Sequence, residues 1–273
     1  MAKHRAQWTW RRYEKLIKEG RGRGTFAAYK PWITVHDLAS KGVVSRVQGQ
    51  KTGRIHHFLS RNETAFFYIL DASDRVLDIR EQYPLLPVEK TVEIAEAAGI
   101  RHPRDPVSQY PYVMTSDFVI TTAEGLFVRS VKMVSELEKP RVLEKLEVER
   151  RYWAEKDVDW RIVTENQINF QKAKNLEWVS RSRFYPDMLP SGMDIEEVCS
   201  FFLETYNKTC LSVSELARKT EEKFRLEAGM GLSTFQYLLL RKEISLDLSK
   251  PLELVSARVQ PEGGAGLWIR VFA

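Results

Sequence analysis

The chain has 273 residues, a net charge of +5 and 43% hydrophobic residues, which is typical of a globular protein with a real core. Its two cysteines are too few for a disulfide-rich secreted scaffold and favour the reducing cytosol. No apolar run approaches the length of a membrane span, and the basic N-terminus lacks the hydrophobic stretch of a signal peptide. We therefore expect one large or two ordinary domains that do not enter a membrane.

The positive charge is concentrated at the start of the chain. Residues 1–60 contain 13 Lys and Arg against 3 Asp and Glu, whereas residues 181–273 contain 12 against 13. This asymmetry indicates a polyanionic partner, most simply nucleic acid, although a solvated basic arm without a partner fits the charge as well. His56 and His57 are adjacent, so their side chains diverge, and we expect exposed or DNA-facing imidazoles rather than a shared metal.

The first predicted element is a short helix over residues 8–18, followed by a basic loop that contains glycines. Residues 56–73 predict a second helix. Within it, Ser60 fits the N-cap and Glu63 follows three residues later, the spacing of a capping box. A strand then runs from residue 75 and ends at Pro84.

Residues 87–110 are polar, contain three prolines and predict a long loop with one helical turn at most. Two strands near 115–121 and 126–134 follow, joined by the turn sequence TTAEG. A helix over 140–156 and a strand over 159–168 complete this half. The order predicts an α/β N-terminal domain in which helices flank a mixed sheet.

The C-terminal part is predicted to be mainly helical. The domain boundary falls in or just before residues 177–194, which contain two prolines and a glycine, and we place the domains at 1–169 and 170–273. Three helices and a strand-like pair over 244–254 predict a winged-helix-like domain. Its recognition helix would expose Gln236, Arg241 and Lys242, but it is not especially basic, so a protein partner fits equally well.

The segment from residue 113 to residue 134 combines an acid, a serine and a lysine in a pattern that fits phosphodiester hydrolysis. This reaction uses carboxylates that converge on Mg²⁺ and a lysine that assists the attacking water or the phosphate. Ser130 and Lys132 are two residues apart in a predicted strand and so share a face, with Asp117 at the start of the preceding strand. The backbone carbonyl of Val131 offers a further oxygen ligand.

Two glutamates on predicted helices extend this pattern. Glu63 lies in the first turn of the helix before the sheet, and Glu149 lies on the apolar stripe of Val142, Leu146 and Trp153. A glutamate on the helix face that packs against a sheet needs a reason, and a metal site supplies one.

Each of these residues also has a purely structural interpretation. Glu63 fits a capping box, Asp117 fits a turn at a strand end, and Lys132 fits a side chain extended along a sheet edge. Glu149 fits an ion pair with Lys145 or Arg150 of its own helix. The joint order of helix acid, strand acid, strand lysine and helix acid favours the nuclease interpretation.

Several separate segments, in order, resemble the TnsA family, the endonuclease subunits of heteromeric TnsA/TnsB transposases. They are TGRIHHFLSRNETAFFYILD, VLDIREQYPLL, TSDFVI and LEKLEVERRYW. The resemblance covers most of residues 20–165 and, in layout only, the C-terminal third. It implies a restriction-endonuclease-like fold and a Mg²⁺-dependent nuclease, with Mn²⁺ as a substitute. Such an enzyme cuts near the 5′ ends of a mobile element while TnsB cuts and joins the 3′ ends.

Carried over residue by residue, the resemblance assigns catalytic roles to Glu63, Asp117, Lys132 and Glu149. The implied metal ligands are Glu63, Asp117, Ser130 and the carbonyl of Val131. The family pattern has Gln or Glu two residues before the lysine, where this chain has Ser130. The shorter serine would hold the metal through a water or leave that role to the Val131 carbonyl.

The resemblance also implies partners: transposon-end DNA, a TnsB-like transposase and a TnsC-like ATP-dependent regulator contacted by the C-terminal domain. The expected location is the bacterial cytoplasm, at the nucleoid during activity. Two alternatives stay open. One is a catalytically weak DNA-binding subunit that bridges to the TnsC regulator, and the other is a stand-alone nuclease that cleaves without TnsB.

Overall fold

In the computed structural model, residues 7–37 and 43–256 are described, and the chain divides into the units Met1–Asn169 and Phe170–Ala273. The first unit combines strands and helices, and the described part of the second is helical. An α/β domain followed by a mainly α domain is therefore confirmed. No helix among the described residues is long and apolar enough to cross a membrane.

The described part of the first unit contains six strands, five α-helices and two short 3-10 helices, Phe26–Ala28 and Glu165–Gln167. The strands are β1 (Ser45–Gln48), β2 (Ile55–Phe58), β3 (Val76–Pro84), β4 (Thr115–Thr122), β5 (Gly125–Val131) and β6 (Asp159–Val163). The helices are α1 (Trp10–Lys18), α2 (Arg61–Asp71), α3 (Val88–Ala97), α4 (Val134–Leu137) and α5 (Pro140–Ala154). Strands β1 and β2 form a separate antiparallel pair.

The main sheet has the order β3-β4-β5-β6, antiparallel except for the parallel pair β5-β6, which confirms the predicted mixed sheet. Helix α5 packs on it through Val148 and Trp153, which share a buried cluster with Val119 of β4 and Val128 of β5. On strand β4, Phe118 stacks against Phe58 of β2 at 5.8 Å between ring centroids. Strand β4 is thus anchored between neighbouring layers, which fixes the position of Asp117.

The start of α2 follows the capping signal in the sequence. Ser60 is the N-cap and its hydroxyl accepts a hydrogen bond from the backbone N–H of Glu63. The prediction that this helix includes residues 56–58 is wrong, because those residues belong to β2 and pair with β1. The sequence shows no break between the strand and the helix other than Ser60 itself.

Three further boundaries differ from the predictions. The loop predicted over 87–110 contains α3, whose buried residues Val88, Thr91 and Ile94 recur every three positions and form its core face. Strand β5 ends at Val131, and Lys132 follows it, although the backbone N–H of Lys132 still donates to the Val163 carbonyl. Strand β6 also ends at Val163, short of the predicted residue 168.

The second unit consists of helices α6 (Phe170–Ser180), α7 (Tyr185–Met188), α8 (Ile195–Lys208), α9 (Val213–Phe224) and α10 (Met230–Leu240). Its core contains Phe202 of α8, Leu216 of α9 and Phe235 of α10. Gly231 permits the close approach of α9 and α10, because a Cβ atom there would lie 2.1 Å from the carbonyl oxygen of Ala217. Small residues at such a crossing are a packing requirement.

The strand pair predicted over 244–254 is wrong. The described residues there form turns and bends. The carbonyls of Leu248 and Lys250 accept hydrogen bonds from the side-chain amide of Asn175, and not from the backbone of a partner strand. The carbonyl of Leu254 accepts from Ser214 of α9. Since side chains and a helix start satisfy this backbone, no wing forms in the described residues, and a winged helix is not confirmed.

The prediction that the recognition helix exposes Gln236, Arg241 and Lys242 is wrong for Gln236, whereas Arg241 and Lys242 are exposed and follow the end of α10 at Leu240. Gln236 of α10 is buried and donates to the carbonyl of Trp178. Arg241 forms ion pairs with Glu196 and Glu243. Helix α10 is the central core helix of its unit, so its polar side chains hold the unit together.

Candidate active site

Asp117 lies where the pairing of β4 and β5 stops. The last register pair of these strands joins Phe118 to Arg129. Beyond it, Oδ2 of Asp117 accepts a hydrogen bond from the backbone N–H of Val131 at 2.8 Å. The carboxylate therefore replaces a ladder carbonyl and is held at the end of the strand pair.

Lys132 forms an ion pair with this carboxylate. Its Nζ lies 2.6 Å from Oδ2 of Asp117 and also donates to the carbonyl of Val131 at 2.9 Å. Burial opposes the charge of the lysine, but the negative charge and hydrogen bond of Asp117 outweigh it and raise the pKa of Lys132 above its ordinary value. The lysine is a fixed positive charge at neutral pH.

Glu63 is buried at the start of α2. Its carboxylate accepts hydrogen bonds from the backbone N–H of Leu59 at 3.1 Å, the Ser60 hydroxyl at 2.8 Å and the Gln82 amide at 3.3 Å. Burial, together with the nearby negative charge of Asp117, raises the pKa of Glu63 to about 7. Glu63 therefore closes the helix end and also lies within electrostatic reach of Asp117.

Glu149 is buried on the inner face of α5. The hydroxyl of Ser130 donates to its Oε1 at 2.5 Å. Burial and the charge of Asp117 raise the pKa of Glu149. The alternative ion pair with Arg150 is wrong, since that guanidinium binds Glu147 instead.

The structure brings the four predicted catalytic residues into one electrostatic cluster. The ammonium of Lys132 is influenced by Asp117, Glu149 and Glu63. Ser130 directs its hydroxyl to Glu149, not to Asp117. Whether these residues catalyse a reaction stays a prediction, and their proximity is the observation on which it rests.

The donor atoms of this cluster suit a hard divalent cation. Two carboxylates, Glu63 and Asp117, and the Val131 carbonyl supply oxygen, the ligand that Mg²⁺ takes while keeping several waters. The sign of fit is that buried Glu63 has only neutral hydrogen-bond donors while it lies within electrostatic reach of Asp117, so a cation would relieve the repulsion between the two carboxylates. Among the described residues, no three His, Cys, Asp or Glu side chains are arranged as a complete metal site.

The histidine pair lies elsewhere, and the prediction for His56 is wrong. Its imidazole is fully buried, with Nδ1 at 2.7 Å from Glu81 and Nε2 at 2.7 Å from Thr52. Sequence reasoning also missed Gln82, which contacts Glu63 from strand β3. In the sequence, Gln82 is distinguished only as a polar residue inside a predicted strand. Many exposed strand positions are also polar, so this feature does not indicate a functional residue.

The basic N-terminal region presents a stripe of charge on α1. Arg11, Lys15 and Lys18 are exposed and spaced by four and three residues, so they lie on one helix face. The opposite face packs through Leu16 into a cluster with Trp8 and other aromatic residues. Lys15 also forms an exposed ion pair with Glu19 at 3.9 Å, so the stripe is a positively charged surface whose charge is partly offset at its centre.

Comparison with known proteins gives consistent matches in both units. A family model described as TnsA-like endonuclease N terminal matches residues 73–165, and one described as TnsA endonuclease C terminal matches residues 167–248. The chain is 42% identical over 253 residues to the transposon Tn7 transposition protein TnsA of Escherichia coli. The aligned region covers 92% of this chain and 90% of that protein. The N-terminal and the C-terminal unit therefore each match the corresponding part of TnsA endonucleases.

Proposed function

This chain belongs to the TnsA endonuclease family, and we propose that it is the Mg²⁺-dependent DNA endonuclease subunit of a heteromeric transposase. It hydrolyses phosphodiester bonds near the 5′ ends of a mobile element during cut-and-paste transposition. The observation that carries this proposal is the meeting of Asp117, Lys132, Glu63 and Glu149 at one end of the β4–β5 pair.

Each residue of the cluster has a role in the proposed reaction. Glu63 and Asp117, with the Val131 carbonyl, would hold Mg²⁺, which supplies positive charge for the phosphate and acidifies a water. Lys132 keeps its proton and balances the charge of the scissile phosphate. Glu149, held by Ser130, fixes α5 behind the end of β5. We therefore propose that Ser130 acts by holding Glu149. The backbone carbonyl of Val131 takes the place of the Ser130 side chain as a metal ligand.

The α1 stripe is proposed to bind the DNA backbone without reading bases, because phosphate contacts position a protein more than they specify sequence. Arg11, Lys15 and Lys18 offer three such contacts. The logarithm of the DNA affinity should then fall with the logarithm of salt by about 0.9 per phosphate contact. Replacing the three residues by alanine should flatten that slope by about 3 units, whereas an unchanged slope would remove α1 from the interface.

The proposed partners follow from the family. The relative from Escherichia coli carries the name of a transposition protein of Tn7. We propose that this chain acts with a TnsB-like transposase that cuts and joins the 3′ ends, and with a TnsC-like ATP-dependent regulator. We propose that the unit 170–273 contacts the regulator and that the complex acts in the bacterial cytoplasm.

The test is strand cleavage by an Asp117→Ala variant on transposon-end DNA with the partner transposase present. We expect cleavage at the 5′ ends to fall at least about 10³-fold, because several kcal/mol of cation and lysine interaction is lost. Asp159→Ala is the matched control, since Asp159 is an acid of the same sheet that pairs with Arg129 and Arg161. It should cleave like the unaltered protein.

A second candidate function is a bridging subunit that binds DNA and recruits the regulator with little catalysis. The observation that favours it is that the Ser130 hydroxyl donates to Glu149 and is not directed at Asp117 as a metal ligand would be. It predicts that Asp117→Ala leaves 5′ cleavage in the assembled complex unchanged. Partner binding retained with cleavage lost would exclude it.

A further inference from the structure

Gln82 contacts Glu63, the helix acid of the candidate active site, from strand β3. It is a residue of β3 with an exposed fraction of 2%. The β3–β4 register pairs the residues on both sides of Gln82 with the residues on both sides of Asp117. Gln82 is therefore directly across the sheet from the strand acid.

Both ends of the Gln82 side chain are bound. Its Nε2 donates to Oε2 of Glu63 at 3.3 Å, and its Oε1 accepts from the hydroxyl of Thr115 at 3.2 Å. When Glu63 is ionised, as cation binding requires, its carboxylate only accepts hydrogen bonds, so the amide nitrogen of Gln82 faces it. The amide is thereby fixed in one orientation, as a donor to the helix acid.

The backbone of Gln82 is also unusual. Its φ is +48°, a conformation that residues other than glycine rarely adopt. The register skips Gln82, and its carbonyl accepts the backbone N–H of Trp32 at 3.1 Å instead. Such conformations persist where the surroundings hold them and cluster at functional sites. The N-terminal segment therefore holds Gln82 in the geometry that directs its amide at Glu63.

The other hydrogen bonds of Glu63 come from Leu59 and Ser60, which lead into its own helix. They fix the carboxylate relative to α2 but not relative to the sheet that carries Asp117. The Gln82 bond is the described contact that ties Glu63 to the sheet. Removing it should leave the helix cap intact and loosen only the spacing between the two carboxylates.

We propose that Gln82 is a positioning residue that holds the Glu63 carboxylate in register with Asp117 for a divalent cation. The inference rests on the proposed function, because it requires that these carboxylates bind the metal. Residues that orient metal ligands typically contribute 10- to 100-fold to metal affinity. Gln82 should therefore act on cation binding without touching the cation or the DNA.

The test is Mn²⁺ affinity of the full chain, measured by electron paramagnetic resonance of the free ion. Gln82→Met keeps the length of the side chain and removes both hydrogen bonds, and we expect binding about 10- to 100-fold weaker. Gln82→Asn is a second variant, because asparagine tolerates positive φ and its amide is too short to bridge Glu63 and Thr115. A variant that keeps the cooperative thermal unfolding transition is folded, and its Mn²⁺ affinity then tests the proposal.

Gln109→Met is the matched control. Gln109 also has a positive φ, +58°, but it is exposed and its amide donates to the carbonyl of Pro106. Its replacement should leave Mn²⁺ affinity unchanged. A general cost of removing a glutamine from this backbone conformation would affect both positions, whereas positioning of Glu63 affects only Gln82.

Asp117→Ala separates the inference from the function on which it rests. If Asp117→Ala abolishes Mn²⁺ binding while folded Gln82→Met and Gln82→Asn bind as tightly as the unaltered chain, the inference is overturned and the metal site stands. If the unaltered chain binds no Mn²⁺, both are overturned. Weak binding in the Gln82 variants with normal binding in Gln109→Met is the expected result.

Discussion

Glu81 and Glu63 are both buried in the first unit, yet their carboxylates have opposite charge environments. Glu81 receives both guanidinium nitrogens of Arg54, at 2.8 and 2.6 Å, and His56 at 2.7 Å. Burial alone would raise its pKa, but these bonds and charges lower it to about 2. Burial and the negative charge of Asp117 raise the pKa of Glu63 to about 7, because its hydrogen-bond donors are neutral and the charge of Lys132 offsets only part of this effect.

The difference shows that partners, not burial, decide what a buried carboxylate can do. Glu81 is fully compensated, so it fastens Arg54 and His56 of the β1–β2 region to β3 and has little attraction left for a cation. Glu63 lacks a direct cationic partner among its hydrogen bonds. A carboxylate in that state gains most from a metal ion.

The largest expected effect separates catalysis from cation binding at the Glu63 cluster. Lys132→Ala should lower strand cleavage by about 10²- to 10³-fold, because its fixed positive charge no longer stabilises the negative charge of the scissile phosphate. Mn²⁺ affinity should not fall, since Lys132 competes with the ion for Oδ2 of Asp117 and for the Val131 carbonyl. Cleavage assays and Mn²⁺ titration on the same preparation measure the two effects.

Lys139→Ala serves as the control for a nearby lysine, because Lys139 is exposed at the start of α5. It should change neither quantity. A parallel loss of cleavage and of Mn²⁺ binding in Lys132→Ala would mean that the lysine organises the site, and the division of roles drawn above would be wrong.

The compensated cluster should respond in stability instead. Glu81→Ala leaves the charge of Arg54 buried without its partner, and breaking such a pair costs about 3–5 kcal/mol of unfolding free energy. Denaturant unfolding measures this. Glu147→Ala, which removes the exposed pairs with Arg150 and Arg151, should cost at most about 1 kcal/mol. Equal losses at the two positions would contradict the role given to Glu81.

The Glu81 contribution also has a defined pH dependence. Its folded pKa of about 2 lies below the ordinary 4.5, so the stabilisation is complete above the ordinary value and is lost as the pH falls toward 2. The unfolding free energies of the unaltered chain and of Glu81→Ala should therefore become equal at low pH. Parallel curves down to the lowest pH would rule out this source of stability.

Ser130 tests the link between α5 and the end of β5. Ser130→Ala removes the hydrogen bond at 2.5 Å to buried Glu149, and we expect a loss of about 1 kcal/mol of stability, because Ser116 still forms a hydrogen bond with this carboxylate. Cleavage should stay within about tenfold, because the serine is not proposed as an essential ligand. Ser130→Gln restores the family pattern at this position. A rise in cleavage by orders of magnitude in that variant would show that the native site is impaired.

The smallest effect is the pH dependence of cation binding. Glu63, with a pKa of about 7, must lose its proton to bind a metal ion, so affinity should rise with pH. Between pH 6 and pH 8 the ionised fraction, and with it the Mn²⁺ affinity, should increase about tenfold. Isothermal titration at several pH values measures it, and an affinity independent of pH over this range would contradict the environment assigned to Glu63.

Local signals predicted much of the first unit. The capping pair Ser60 and Glu63 marked the start of α2, and the turn between β4 and β5 marked their hairpin. The loop predicted over 87–110 is wrong because prolines in a polar segment favour a loop, whereas Pro87 stands at the N-cap of α3 and does not interrupt it. The wing failed because the carbonyls of Leu248 and Lys250 bind Asn175, some 70 positions earlier in the chain.

The site was predictable where residue type and spacing carried the chemistry. Asp117 and Lys132 stand out as an acid and a lysine on adjacent strands, and the structure joins them at 2.6 Å. Gln82 was not predictable, because its positive φ arises from the bond between its carbonyl and Trp32. The partner of Ser130 was missed because its hydroxyl contacts a distant helix. The conformation of Gln82 and the partner of Ser130 depend on long-range contacts, which local sequence propensity does not predict.

The most direct test of the central claim is a crystal of the full chain soaked in Mn²⁺ and read by anomalous scattering, which needs neither DNA nor a partner. We predict a peak between the carboxylates of Glu63 and Asp117 and none at Glu81, where Arg54 already supplies the positive charge. Ordered Glu63 and Asp117 side chains without a peak would contradict the account and favour the bridging subunit.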